Sequence, residues 1–130
     1  VSIKKDGNLR GCIGNVQPTK ETLKEEIIKN AFNAAFKDPR FEPVNLNELD
    51  KLVYSVDILG EAEKVDNIDQ LDPKQYGVIV SKGNQSGLLL PDLDGVNTAK
   101  KQVEIAKRKA GIELNDNDIK LMRFSVERYN

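Results

Sequence analysis

Six consecutive residues near the start of the chain, Leu-Arg-Gly-Cys-Ile-Gly at positions 9–14, carry the strongest chemical signal in the sequence. The thiolate is the reactive form of cysteine, and a nearby guanidinium favours it. Arg10 and Cys12 are alternate residues of a predicted strand and would share a face, so Arg10 would favour the thiolate of Cys12. Gly11 and Gly14 would let a ligand approach the backbone. The alternative is a buried structural cysteine, since free cysteine is among the most buried residue types.

A second group of residues, Asp-Pro-Arg-Phe at 38–41, follows a predicted helix. The planar fork of Arg40 suits a carboxylate or a phosphate, and the proline would hold it in a rigid turn. Alternatively, the segment is only a helix stop in which Arg40 pairs with Asp38. We predict that Arg40 converges with Arg10 and Cys12 on one cleft.

Ser55 and Asp57 form a polar pair on a predicted strand. A buried carboxylate needs a partner or a raised pKa, so Asp57 is a candidate acid or base, or the counter-ion of an arginine such as Arg10. Exposure on an edge strand is the alternative. We predict that Asp57 lies within reach of an arginine.

The composition excludes several kinds of chemistry. The 130 residues include no histidine, so Ser-His and Cys-His pairs and the common histidine zinc sites cannot form. We find no cofactor fingerprint and no metal motif, and predict neither a cofactor nor a metal. A net charge of −1 argues against bulk attraction to nucleic acid. One cysteine and no long apolar run predict a cytoplasmic protein without a membrane span.

The elements that must position these residues form an α+β pattern, with the order β-β-α-β-β-β-α-β and mostly antiparallel pairing. The first hairpin turns near Asp6-Gly7-Asn8, and a three-residue loop would place its apolar residues on one face. Leu52–Leu59 alternates as a strand. A second hairpin is predicted with the five-residue loop 82–86, and a last strand places Met122, Phe124 and Val126 on one face.

Two helices complete the pattern. The first follows Pro18, has a capping box at Thr22 and Glu25, and must end before Pro39. The second extends from an N-cap at Thr98 to Gly111.

The motifs together resemble the AMMECR-type domain family, whose prokaryotic members are labelled AmmeMemoRadiSam system protein A. The similarity covers almost the whole chain in order. It rests on Leu-Arg-Gly-Cys-Ile-Gly at 9–14, Asp-Pro-Arg-Phe at 38–41, Ser-Val-Asp at 55–57, Tyr-Gly-Val at 76–78, Gly-Leu-Leu-Leu-Pro at 87–91 and the closing Phe-Ser-Val-Glu-Arg-Tyr.

The resemblance implies an α+β fold of two unequal subdomains, an intracellular location, and Memo-type and radical-SAM proteins as partners. It also implies that residues 1–130 are a single domain truncated at its N-terminus, where an apolar patch near Val1 would be exposed or covered by a second copy. The family brings no established reaction.

Two functions follow from these observations. The first is an accessory domain that binds an anionic ligand, derived from nucleic acid or peptide, through Arg10, Gly11, Gly14, Arg40 and Asp57. The second is a thiol enzyme in which Cys12 is the nucleophile and Arg10 lowers its pKa, with Asp57 or a tyrosine transferring the proton. Because no histidine is present to act as base, we favour the binding domain.

Overall fold

The computed structural model describes all 130 residues and contains eight strands and two α-helices. The strands are β1 (Ser2–Lys5), β2 (Asn8–Cys12), β3 (Leu52–Leu59), β4 (Glu63–Val65), β5 (Gly77–Lys82), β6 (Gln85–Leu89), β7 (Lys120–Phe124) and β8 (Val126–Tyr129). The helices are α1 (Leu23–Phe36) and α2 (Ala99–Ala110), and short 3₁₀ helices span Leu46–Lys51 and Ile68–Gln70. The predicted α+β class is confirmed.

The chain divides into two compact units. The first comprises Val1–Ile58 and Arg128–Asn130, and the second comprises Leu59–Glu127. One four-stranded sheet has the order β2-β1-β3-β8, and the other has the order β4-β7-β5-β6. The strand pairs β1–β2, β1–β3, β4–β7, β5–β6 and β5–β7 are all antiparallel.

The first hairpin has a tighter turn than the sequence predicts. Lys5 pairs with Asn8, so the turn is the two residues Asp6 and Gly7, both with positive φ. This is the backbone of a type I′ turn, which matches the twist of the flanking strands. The predicted three-residue loop is therefore wrong.

Both helices begin and end as the sequence predicts. Thr22 and Glu25 form the capping box of α1, which ends at Phe36, before Pro39. Thr98 caps α2, whose C-cap Gly111 has a left-handed φ of 72°. In each unit the helix lies very close to a glycine of the sheet. A Cβ on Gly11 would collide with the carbonyl of Ala34 in α1, and one on Gly87 would collide with that of Ala106 in α2.

The second unit holds the hydrophobic core. Side chains of β5, β6 and α2, among them Val78, Val80 and Ala106, pack into one buried cluster that extends over residues 65–112. The β5–β6 turn has two residues rather than the predicted five, because Lys82 already pairs with Gln85 and Gly83 supplies a positive φ.

The predicted last strand is two strands. It breaks at Ser125, after which β8 joins the other sheet, so Val126 is not in the strand that carries Met122 and Phe124. Ser125 and Gly60 meet at this break, where the Gly60 N–H donates to the Ser125 carbonyl at 2.9 Å. Neither α-helix has the length and apolar character of a membrane span.

Candidate functional site

Arg10 is the extra residue of a β-bulge. Ile3 pairs with Gly11 and Lys4 pairs with Leu9, so Arg10 has no partner of its own on β1. Bulges redirect a side chain and interrupt the strict alternation of faces. The expectation that Arg10 and Cys12 share a strand face rested on unbroken alternation, which the bulge removes.

The guanidinium of Arg10 bonds to the segment that precedes β3. Its Nε donates to Glu48 Oε1 at 2.6 Å, and Nη1 and Nη2 donate to the carbonyls of Glu42 and Pro43 at 2.8 and 3.3 Å. The hydrogen bond from Arg10 lowers the pKa of Glu48, and the charge of Lys5 adds to the effect. Arg10 therefore anchors residues 42–48 to the bulge of β2.

The backbone of Cys12 faces the open edge of the sheet. Ile13 and Val1 exchange backbone hydrogen bonds, so the neighbouring pair, Cys12 and Ser2, is of the non-hydrogen-bonded kind. The Cys12 N–H consequently points away from β1 and donates to Asp38 Oδ2 at 2.9 Å. The Cys12 carbonyl accepts from Arg40 Nη2 at 3.3 Å. Residues 38 and 40 thus cap the edge of β2 at Cys12.

Asp38 and Arg40 form a forked ion pair. Both carboxylate oxygens of Asp38 accept from Arg40, at 3.0 Å from Nε and 2.8 Å from Nη2. These bonds hold the pKa of Asp38 far below its usual range, although burial acts in the opposite direction. They also raise the pKa of Arg40, to which the adjacent Cys12 adds a smaller effect. Asp38 is therefore an anion that is already fully paired.

Arg40 is nevertheless open to solvent. Its side chain is 56% exposed, while that of Asp38 is 2% exposed. The guanidinium carbon lies 5.4 Å from the centre of the Phe41 ring, which gives the group a second support. Its Nη1 makes no hydrogen bond within the chain. One edge of an oriented guanidinium is thus available to a ligand.

The thiol of Cys12 lies on a polar face of the sheet. Its Sγ is 3.2 Å from Ser2 Oγ, and Ser2 pairs directly with Ser55 on β3, so the three side chains form a row. Two residues further along the same face of β3 is Asp57, whose carboxylate accepts from Arg128 Nε and Nη2 at 2.7 and 3.1 Å. Cys12 is half-buried.

Asp57 is too far from Cys12 for direct proton transfer. Strands in a sheet are spaced by roughly 4.8 Å and residues along a strand by roughly 3.4 Å. Two strand spacings and two residues place the Cα atoms of Cys12 and Asp57 roughly 12 Å apart. A ligand could span this distance, but a proton could not pass between the two side chains directly.

The segment after the motif is tied to α1. Glu26 of α1 accepts from Asn15 Nδ2 at 2.6 Å and from the Thr19 N–H at 2.7 Å. Burial acts to raise the pKa of Glu26, but the bonds from Thr19 and Asn15 outweigh it and lower the pKa to about 2. Gly14 stands before this segment, and an added Cβ there would meet no atom within 4 Å.

The structure thus gathers only part of the predicted site. Arg40 and Cys12 are neighbours, whereas Arg10 turns to Glu48 and Asp57 pairs with Arg128 instead of Arg10. Their roles toward a ligand stay predictions. Sequence reasoning missed Ser2 and Glu48, because their partners are ten or more positions away. The signal for Arg128 was its place in the closing motif. No group of three or more acidic or cysteine side chains is arranged to hold a metal ion.

The fold and the motif residues at the edge of β2 are those of a known protein family. The AMMECR1 family profile matches residues 1–129, and the chain belongs to the AMMECR1 family. A Thermotoga maritima protein is 57% identical over 126 residues, which cover 97% of this chain. The crystal structure of uncharacterized protein PH0010 from Pyrococcus horikoshii is similar over 98% of this chain, with a TM-score of 0.88 and 32% identity.

The relatives differ in total length. The match covers 72% of the Thermotoga protein and 70% of the Pyrococcus chain. It covers only 27% of Protein CA_C1420 from Clostridium acetobutylicum, which is 49% identical over 129 residues. The chain therefore spans about a quarter of the Clostridium protein and nearly three quarters of the Thermotoga and Pyrococcus proteins.

Proposed function

We propose that the chain is an accessory binding domain that holds an anionic group of a ligand beside Cys12, for use by Memo-type and radical-SAM proteins. The observation that carries the proposal is the half-exposed Arg40, which is fixed by Asp38 and Phe41 with Nη1 unpaired. Because its orientation is set before a ligand arrives, little side-chain entropy is lost on binding.

The neighbourhood of Arg40 suits a carboxylate or phosphate. The guanidinium edge offers a charge-assisted donor, and the open backbone at Gly14 leaves room for close approach. The polar row of Ser2, Cys12 and Ser55 offers weaker donors to the rest of the ligand. Asp38 already neutralises much of the charge of Arg40, so we expect modest affinity for a small free anion and tighter binding of a larger ligand.

The accessory role is supported by the length of one relative. In the Clostridium protein this domain accounts for about a quarter of the polypeptide. The domain thus occurs joined to a much longer polypeptide, as expected of an accessory domain. The partners themselves are proposed from the family resemblance.

A thiol enzyme is the second candidate, and the Ser2 hydroxyl 3.2 Å from the Cys12 sulfur favours it. A base is harder to find. Asp57 is paired with Arg128, and the low pKa of Asp38 makes it a weak proton acceptor. The binding function therefore has the stronger support.

The test is a calorimetric titration that measures the affinity of the chain for AMP and for a short acidic peptide. Loss of a charge-assisted hydrogen bond costs about 1.5–3 kcal/mol, so Arg40→Ala should weaken binding roughly ten- to a hundred-fold. Arg40→Lys should retain only part of the wild-type affinity, because the point charge of lysine cannot reproduce the forked hydrogen bonds of arginine. The control is Arg108→Ala, an exposed arginine of α2.

Cys12→Ser separates the two candidates. The binding function predicts that Cys12→Ser changes the affinity little, whereas the thiol enzyme predicts that Cys12→Ser abolishes any turnover. The thiol enzyme also predicts that the wild-type Cys12 is alkylated well below pH 8.5. Melting temperatures of all variants are measured alongside. Equal binding by wild type and Arg40→Ala, with both folded, would contradict the proposal.

A further inference from the structure

We propose that Lys4 is a second anion-binding residue of the site at Arg40, and that the ligand carries two linked phosphate groups, as a nucleoside diphosphate does. The inference rests on the proposed function, because it adds a second contact to the ligand that Arg40 is proposed to hold. It depends on three properties of Lys4: the sheet face on which it lies, its lack of a partner, and its distance from Arg40.

Lys4 lies on the solvent-exposed face of the first sheet. It is two residues from Ser2 on β1, and alternate residues of a strand share a face. Ser2 is paired with Cys12, so the side chains of Lys4, Ser2 and Cys12 project from the same side of the sheet. Ile3, between Ser2 and Lys4, is 1% exposed and faces the opposite side, where Gly11 meets α1. Lys4 itself is exposed.

The ammonium of Lys4 has no partner within the chain. Its direct cross-strand neighbours are apolar, Leu9 on β2 and Val53 on β3, and they are 42% and 63% exposed. The next residue, Lys5, lies on the other face and places Nζ 3.9 Å from Glu48, whereas Lys4 forms no ion pair. The stem of Lys4 can pack between its two apolar neighbours while the ammonium stays in solvent. Its positive charge is therefore available to a ligand.

Lys4 is within reach of an anion held by Arg40. One strand spacing of roughly 4.8 Å and two residues of roughly 3.4 Å each put the Cα atoms of Lys4 and Cys12 roughly 8 Å apart. Arg40 Nη2 donates to the Cys12 carbonyl at 3.3 Å, so the guanidinium lies beside that residue. The flexible four-carbon stem of lysine lets its ammonium close most of the remaining distance. The two cations can therefore contact neighbouring groups of one ligand.

The groups between the two cations suit a diphosphate. The Ser2 hydroxyl and the Cys12 thiol lie 3.2 Å apart there, and both can donate to phosphate oxygens. Asp38 neutralises much of the charge of Arg40, whereas the charge of Lys4 is uncompensated. A ligand with one anionic group would use only one of the two cations. Two linked phosphates would use both, and each would gain a charge-assisted contact.

The experiment compares AMP, with one phosphate, and ADP, with two, by calorimetric titration of the whole chain. We expect ADP to bind roughly five- to tenfold more tightly than AMP, because ADP alone can engage Lys4 and Arg40 together. Lys4→Ala should lower the affinity for ADP to that for AMP and leave AMP binding almost unchanged. Lys5→Ala is the matched control, because it removes the same charge from the opposite face. It should leave the ratio of the two affinities as in the wild type.

Arg40→Ala distinguishes failure of this inference from failure of the proposed function. If Arg40→Ala weakens AMP binding but the wild type binds ADP no more tightly than AMP, the ligand site stands and the role of Lys4 is wrong. Equal loss of ADP affinity in Lys4→Ala and Lys5→Ala would reveal only general charge attraction and would also overturn the inference.

The acidic peptide completes the test. If the folded wild type binds neither nucleotide, the diphosphate inference is wrong. Binding of the acidic peptide in that case, lost in Arg40→Ala, would still support the proposed function. Melting curves show that each variant is folded.

Discussion

The carboxylate of Asp38 accepts the backbone N–H of Cys12 at 2.9 Å, across 26 positions of sequence. The same carboxylate accepts three donors from Arg40: its backbone N–H, Nε and Nη2. Two motifs that are separate in sequence therefore share one buried anion. This links the edge of the sheet at Cys12 to the turn that carries Arg40.

We expect Asp38→Asn to destabilise the chain by about 1.5–3 kcal/mol, the typical contribution of hydrogen bonds to a charged group. The amide would keep one acceptor but lose the ionic contact with Arg40. The free energy of unfolding in urea measures the loss. Asp50→Asn, at an exposed carboxylate, is the control. Equal stability of the two variants would mean that the anion is not needed at the edge of β2.

Acidification should weaken the first unit. The folded pKa values of Asp38 and Glu26 are depressed, that of Glu26 to about 2, whereas free carboxyls titrate near pH 4. Groups with a depressed folded pKa stabilise the protein above the unfolded pKa, and this stability is lost as the pH falls toward the folded value. We expect the free energy of unfolding to be steady above about pH 5 and to fall between about pH 4 and pH 2. Glu26→Gln should flatten that slope, and an unchanged slope would contradict the assignment.

Gly11 and Gly14 are expected to respond oppositely to alanine. In Gly11→Ala the methyl group would collide with the Ala34 carbonyl, and forced overpacking costs about 1–3 kcal/mol. In Gly14→Ala the methyl group would enter open space, so stability should change by less than about 0.5 kcal/mol. Thermal melts compare the pair. If Gly14→Ala is stable yet weakens ligand binding, a ligand approaches the backbone there, as the sequence predicts.

Local rules predicted the helices well, because their determinants are close in sequence. Thr22 and Glu25 are three residues apart, and Gly111 directly follows α2. The strand Leu52–Leu59 was likewise predictable, because its two faces alternate within eight consecutive residues.

The same rules missed features decided by distant partners. Nothing near Arg10 signals a bulge, which exists because the tight Asp6-Gly7 turn and the Ile3–Gly11 pairing differ in register by one residue. Ser125 looks like an ordinary strand residue, yet the chain changes sheet there. The motif residues stand out in the sequence by type and spacing, but their partners are set by the fold.

The last prediction concerns what Arg10 does. Its side chain is 16% exposed and that of Glu48 is 8% exposed, so Arg10→Ala leaves a nearly buried carboxylate without its main partner. Removing one member of a buried ion pair costs about 3 kcal/mol. Lys5, whose Nζ is 3.9 Å from Glu48, cannot replace the contacts to the Glu42 and Pro43 carbonyls.

We therefore expect Arg10→Ala to lower the free energy of unfolding by about 3 kcal/mol. Glu48→Gln should lower it less, and the double variant should be less destabilised than the sum of the two, because the residues form one interaction. Binding of AMP, measured on the folded fraction, should change far less than in Arg40→Ala. The opposite result would be weaker AMP binding at an unchanged free energy of unfolding. It would show that the Arg10 guanidinium contacts the ligand directly, because a residue that only stabilises the fold would lower stability instead.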